Sequence, residues 1–172
     1  MKTIWAVTHG KKAAGTNPVL NETGVNEILQ LAKKLSMDSI KQIIIGTGAR
    51  FIHTYKILLA QDAGNGNLQN IDPKYSPLLG SADSGDRGET GWNVLLTDGT
   101  AVPLGNYIGL NGTPGIDLWK FLRERVEDGA LLVTGRELIG TLMGSVDAGK
   151  SATAYQITIG DEPGDCHITE VS

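Results

Sequence analysis

Three short aliphatic and β-branched runs constrain this chain more than any other feature: Thr3 to Val7, Ile40 to Ile45 and Ala130 to Val133. Each stops at a polar, glycine-bearing step, respectively Thr8-His9-Gly10, Gly46-Thr47-Gly48 and Thr134-Gly135. A run this short and apolar reads as a strand covered on both faces. Between the first two, Val25, Ile28, Leu29, Ala32 and Leu35 recur at helical spacing behind Asn21, a suitable N-cap. A second helix is expected from about Arg50 to Ala60, with Phe51, Tyr55, Leu58 and Leu59 on or near one face. Strands alternating with helices predict an α/β fold, a three-layer α/β/α sandwich around a mostly parallel central sheet. In such sheets ligands bind at the carboxyl ends of the strands. The three glycine-bearing steps are therefore expected to meet at one edge.

The rest of the chain extends this reading. Leu118, Phe121, Leu122 and Val126 mark a helix that starts at Thr113-Pro114 and stops at Gly129. Glu137 to Met143 predicts a shorter helix. Ala152 to Ile159 and Cys166 to Val171 predict C-terminal antiparallel strands. The middle differs: Gly64 to Gly91 is rich in Gly, Asn, Asp and Ser. Trp92 to Leu104 then suggests a hairpin turning at Asp98-Gly99. The expected organisation is one domain, 1–172, with a cap-like loop and hairpin inserted at about 64–115.

Composition narrows the function. With 40% hydrophobic and 20% charged residues the chain is globular rather than disordered. A net charge of -4 argues against a nucleic-acid surface, which needs clustered Lys and Arg. One cysteine, Cys166, excludes a disulfide framework within the chain. No apolar run approaches the ~20 residues that cross a bilayer, and the N-terminal run is too short for a signal peptide. A cytoplasmic location is the default expectation.

His9 stands where a strand delivers a side chain to the ligand-binding edge, and Gly10 lets the backbone turn at once. Arg50 opens the second helix, so its guanidinium can reach the same crevice. An imidazole nucleophile beside an arginine suits phosphoryl transfer: nitrogen attacks phosphorus, and the arginine neutralises the equatorial oxygens.

This arrangement resembles the histidine phosphatase superfamily, which includes phosphoglycerate mutases and phosphatases. Its Arg-His-Gly signature is read here as Val7-Thr8-His9-Gly10, and its Leu-Thr-Glu-x-Gly helix start as Leu20-Asn21-Glu22-Thr23-Gly24. An arginine four residues before a threonine is matched by Arg50 to Thr54. A late strand ending in Thr/Ser-His-Gly is matched by Leu131-Leu132-Val133-Thr134-Gly135-Arg136. The likeness covers roughly Lys2 to Asp62 and Ile116 to Val171. It implies His9 as nucleophile, Arg50 as phosphate clamp, a small phosphorylated or anionic ligand, and no metal or organic cofactor.

The departures are equally specific. Thr8 replaces an arginine, and Gly135 replaces a second histidine. Arg136 is a candidate replacement charge beside Gly135. The proton donor has no clear match, and Asp83, Asp86 and Glu89 are the nearby candidates. Losing one preorganised charge-stabilising group costs roughly 10²–10³ in rate. The resemblance therefore implies a phosphohydrolase with an impaired site, or a domain that only binds its anionic ligand.

Two other classes compete. A non-catalytic binding or scaffold protein would use the hairpin at Trp92 to Leu104. A nucleotide-binding protein would use Gly144 to Ser151, which fits GxxxxGK[ST] as text. A phosphate-binding loop of that kind should follow a strand and open a helix. Ala152 to Ile159 alternates like a strand instead, so this segment is expected to be the turn before the final strands.

Overall fold

The first apolar run forms β1 (Lys2–Thr8), which has β6 (Ala130–Thr134) as its parallel neighbour on one side. On the other side lies β7 (Ala154–Ile159), antiparallel to it. This arrangement is seen in a computed structural model that describes residues 1–62, 66–76, 79–80, 93–95, 101–103, 116–144, 148–162 and 164–171. Outward from β6 come β2 (Gln42–Ile45) and the two-residue β3 (Lys74–Tyr75), both parallel. Outward from β7 comes β8 (Cys166–Glu170), antiparallel. The sheet order is therefore β3-β2-β6-β1-β7-β8. A parallel body with an antiparallel C-terminal pair is the sheet the sequence predicts.

Alternation along the inner strands builds a core on each face. Ile4 and Ala6, with Ala130, Leu132 and Ile44, belong to one cluster; Val7, with Leu131, Val133, Ile43 and Ile45, belongs to the other. The first is covered by α3 (Ile116–Lys120, continuing as a π-helical turn Phe121–Arg125) and α4 (Arg136–Leu142). The second is covered by α1 (Glu22–Ala32) and α2 (Ala49–Gln61). Each fully buried Ile or Leu contributes about 1.5–3 kcal/mol relative to exposure. Three layers follow from covering both faces of one sheet.

Local signals behave as their chemistry requires. Asn21 caps α1, its Oδ1 accepting from Gly24 N–H at 2.8 Å. The helix that carries Leu118 ends at Arg125, four residues before the expected stop at Gly129. Lys2, 120 or more positions away, meets the carbonyls at this end: its ammonium donates to those of Leu122, Arg123 and Val126. Gly129, at φ +83°, instead shapes the turn into β6. In the middle of the chain β4 (Asn93–Leu95) pairs antiparallel with β5 (Ala101–Pro103), the expected hairpin. Leu95 faces Ala101, whereas a two-residue turn at Asp98-Gly99 would pair it with Val102. That turn, and Thr113-Pro114, lie outside the described residues.

Candidate functional site

The carboxyl ends of β2, β6 and β1 lie side by side, because these three strands are adjacent and parallel. Hydrogen bonds extend the sheet one step past the strands: His9 N–H donates to Thr134 O at 3.1 Å, and Gly46 N–H to Val133 O at 3.0 Å. The three glycine-bearing steps of the sequence thus form one edge.

His9 is held in a defined state there. Its Nδ1 lies 2.7 Å from the Gly10 carbonyl, which can only accept, so Nδ1 carries the hydrogen. Nε2 is left with its lone pair. Burial pushes the imidazole down to about 4. The charges of Arg50, Lys12 and Arg136 push the same way, against the bond to Gly10, which favours the proton. At neutral pH this histidine is an uncharged ring surrounded by cations, as a nucleophile toward an anion should be.

Phe51 is the hub beneath these groups. It is 1% exposed, and its ring meets His9 edge-to-face with centroids 5.3 Å apart. The Arg50 guanidinium stacks 4.3 Å from the centre of the same ring. Arg50 is itself 3% exposed, at the first turn of α2. Three glycines make room for Phe51. A Cβ would come within 2.7 Å of the ring at Gly46, 3.0 Å at Gly48 and 2.3 Å at Gly80. Sequence reasoning gave Phe51 only a place on a helix face. The available signal was the glycine pair Gly46 and Gly48 ahead of it; Gly80 joins them only in three dimensions.

The loop between β1 and α1 is pinned from both ends. Gly24, the last residue of the Leu20–Gly24 motif, packs on the chain leaving β1: a Cβ there would lie 2.1 Å from Lys11 O. One at Gly10 would lie 2.5 Å from Gly24 O. The two sequence motifs therefore touch through backbone alone. Asn17 Oδ1 accepts from Ala49 N–H at 2.9 Å, tying the loop to the start of α2. His53 Nδ1 accepts from Leu20 N–H at 3.0 Å, so this histidine positions the loop.

The expected departures have structural content. Thr8 is wholly buried; its hydroxyl donates to Lys150 O at 2.7 Å and accepts from Thr153 N–H at 3.0 Å. It is a bracket for the segment before β7, turned away from any ligand role. Gly135 follows β6 with φ -109°, ordinary extended backbone. Where its Cβ would stand, Glu137 Oε2 lies 2.5 Å away and Phe51 Cε1 3.6 Å away. A carboxylate thus covers the position at which a side chain would enter the crevice. Arg136 Nε is 3.9 Å from Glu137 Oε1. Asp83, Asp86 and Glu89 lie outside the described residues.

The nucleotide-loop text does not have the matching structure. Gly144 to Ser151 follows α4 and precedes β7, the reverse of a strand-to-helix loop. Lys150 Nζ is paired with Glu170 Oε2 at 3.0 Å, and Gly149 packs against the Arg136 carbonyl.

No family profile and no curated protein matches this sequence. Solved structures do match in three dimensions. The protein histidine phosphatase SixA, complexed with tungstate, is 16% identical with a TM-score of 0.57, over 99% of this chain and 96% of that one. The alpha-ribazole phosphatase from Shigella flexneri is 11% identical with a TM-score of 0.61, over 98% and 95%. A mycobacterial glucosyl-3-phosphoglycerate phosphatase in complex with VO3 is 12% identical with a TM-score of 0.55, over 99% and 97%. This chain has the fold of the histidine phosphatases, end to end.

Proposed function

We propose that this chain is a divergent histidine phosphatase that holds a small phosphorylated ligand at the β1–β6–β2 edge and transfers its phosphoryl group to His9. The observation that carries the reading is the state of His9. A neutral imidazole with hydrogen on Nδ1 presents Nε2 to the crevice, beside the Arg50 and Arg136 charges. In the first step Nε2 attacks phosphorus, a P–N bond forms, and the bond to the leaving oxygen breaks. That oxygen departs as an alcohol after taking a proton. In the second step water attacks phosphorus, the P–N bond breaks, and phosphate leaves with His9 neutral again. Arg50 and Arg136 offset charge on the non-bridging oxygens.

Mass spectrometry after incubation with a phosphodonor should find acid-labile phosphate on His9. Turnover of p-nitrophenyl phosphate should disappear in His9→Ala. Turnover that survives this substitution would falsify the mechanism. A second reading, an anion-binding domain without turnover, is favoured by Thr8 and Gly135, which bring no charged group to the ligand. It predicts saturable phosphate binding with no phosphohistidine.

A further inference from the structure

Glu137 places a carboxylate over Gly135 at this edge, and nothing in the phosphoryl-transfer reading uses it. Its Oε2 lies over Gly135, 2.5 Å from where a Cβ would stand, and that same point is 3.6 Å from Phe51 Cε1. Phe51 in turn carries the His9 ring on one side and the Arg50 guanidinium over its face. The β6 end to which Gly135 belongs is joined to His9 by the bond from His9 N–H to Thr134 O. Glu137 Oε2 and the ring that His9 and Arg50 contact are thus both neighbours of the same point above Gly135. The cations facing His9 are Arg50 from α2, Lys12 from the loop after β1, and Arg136 from α4.

We infer that Glu137 selects the oxyanion: its carboxylate over Gly135 admits a phosphoryl group that carries a proton and rejects an oxyanion that carries none. The inference rests on the anion-site reading above and adds a selectivity to it. A carboxylate is an acceptor only. It can meet an oxyanion oxygen in two ways. A P–OH donates a hydrogen bond to it, while a bare oxygen brings two like charges together with no proton between them. The arginines attract both kinds of ligand, so attraction alone does not discriminate. Glu137 supplies the repulsive element that specificity needs. Phosphate near neutral pH retains protonated forms, and sulfate has none. The two ions are otherwise close in size and shape, so they isolate the proton as the variable.

Isothermal titration calorimetry with inorganic phosphate and with sulfate, at about pH 8.5 where both ions carry two charges and only phosphate retains a proton, provides the test. His9 stays neutral at that pH, since burial holds it at about 4. The wild-type chain should prefer phosphate by roughly tenfold or more, a difference of one unpaired buried charge. Glu137→Gln, which can both accept and donate, should gain sulfate affinity and bring the ratio close to one. Equal affinity of the wild type for the two ions would overturn the inference while leaving the anion site intact. So would a ratio unchanged in Glu137→Gln. Binding of neither ion to the wild type would overturn the anion-site reading itself, and this selectivity with it. The wild-type ratio needs no substitution, so the test stands even if the variant fails to fold.

Discussion

The carboxyl ends of β1 and β6 are built alike and furnished differently. Thr8 and Thr134 are register partners, both wholly buried, and each hydroxyl donates to a backbone carbonyl of a different segment. Thr8 holds Lys150 O at 2.7 Å and Thr134 holds Leu79 O at 2.6 Å. One residue further, β1 presents an imidazole and β6 presents nothing, with the Glu137 carboxylate over the gap. The frame is thus kept at both strand ends, and only one end carries a side chain beyond it. Frame and chemistry separate because the frame is made by buried hydroxyls and backbone, which packing demands.

If the two ends are equivalent frames, filling the empty one should have the largest effect. Gly135 has extended backbone, so a histidine is sterically acceptable once the flexible end of Glu137 swings aside. Gly135→His should raise phosphatase turnover by roughly 10²–10³-fold, the size of one preorganised charge-stabilising group. Steady-state kinetics on p-nitrophenyl phosphate would show it. An unchanged kcat with weaker phosphate binding would mean that the β6 end does not aim into the crevice.

The next effect concerns the frames themselves. Thr8→Val strands the Thr153 N–H as well as the Lys150 carbonyl, whereas Thr134→Val strands only the Leu79 carbonyl. Loss of a buried hydrogen-bond partner costs about 1–3 kcal/mol, and the Thr134 bond is buried whereas water can reach the partly buried partners of Thr8, so Thr134→Val should be the more destabilising of the two. Chemical denaturation of both variants gives the order directly. The reverse order would show that water does not replace the hydroxyl at the Lys150 carbonyl and the Thr153 N–H.

The remaining effect, confined to acid pH, is the dependence that His9 imposes. Folded, its imidazole stays neutral down to about 4, while in the unfolded chain it takes up a proton near 6.5. The unfolded state therefore binds more protons between these values. This contribution to stability is fully present above about pH 6.5 and is lost as pH falls toward 4. Urea midpoints measured across that window should fall with pH in the wild type and less steeply in His9→Gln. Equal slopes would mean that His9 titrates normally and is not desolvated at the strand end.

Much of the architecture was legible because it rests on local patterns. The apolar runs became β1, β2 and β6, Asn21 caps α1, and the alternating C-terminal segments became β7 and β8. Periodicity reports burial, and burial decides these elements. The helix end at Arg125 was not legible, because the ammonium that collects its carbonyls comes from Lys2 in another strand. Likewise the GxxxxGK[ST] text looks local, but its meaning depends on what precedes and follows it in the sheet. Here that is a helix and then a strand.

Of the site, the sequence by itself determined that His9 stands at a strand end and Arg50 at the start of the second helix, and that Thr8 and Gly135 bring no charge. Those facts are matters of residue type and of where a strand must stop. Only the tertiary structure decided the tautomer of His9, the place of Phe51 beneath it and the carboxylate over Gly135. Two of these are contacts between near neighbours, His9 with Gly10 and Glu137 with Gly135, whose backbone directions the fold sets, and the third brings Gly80 onto the Phe51 ring from a distant segment. Such distances are set by how the layers pack against one another, and no local pattern of residues encodes them.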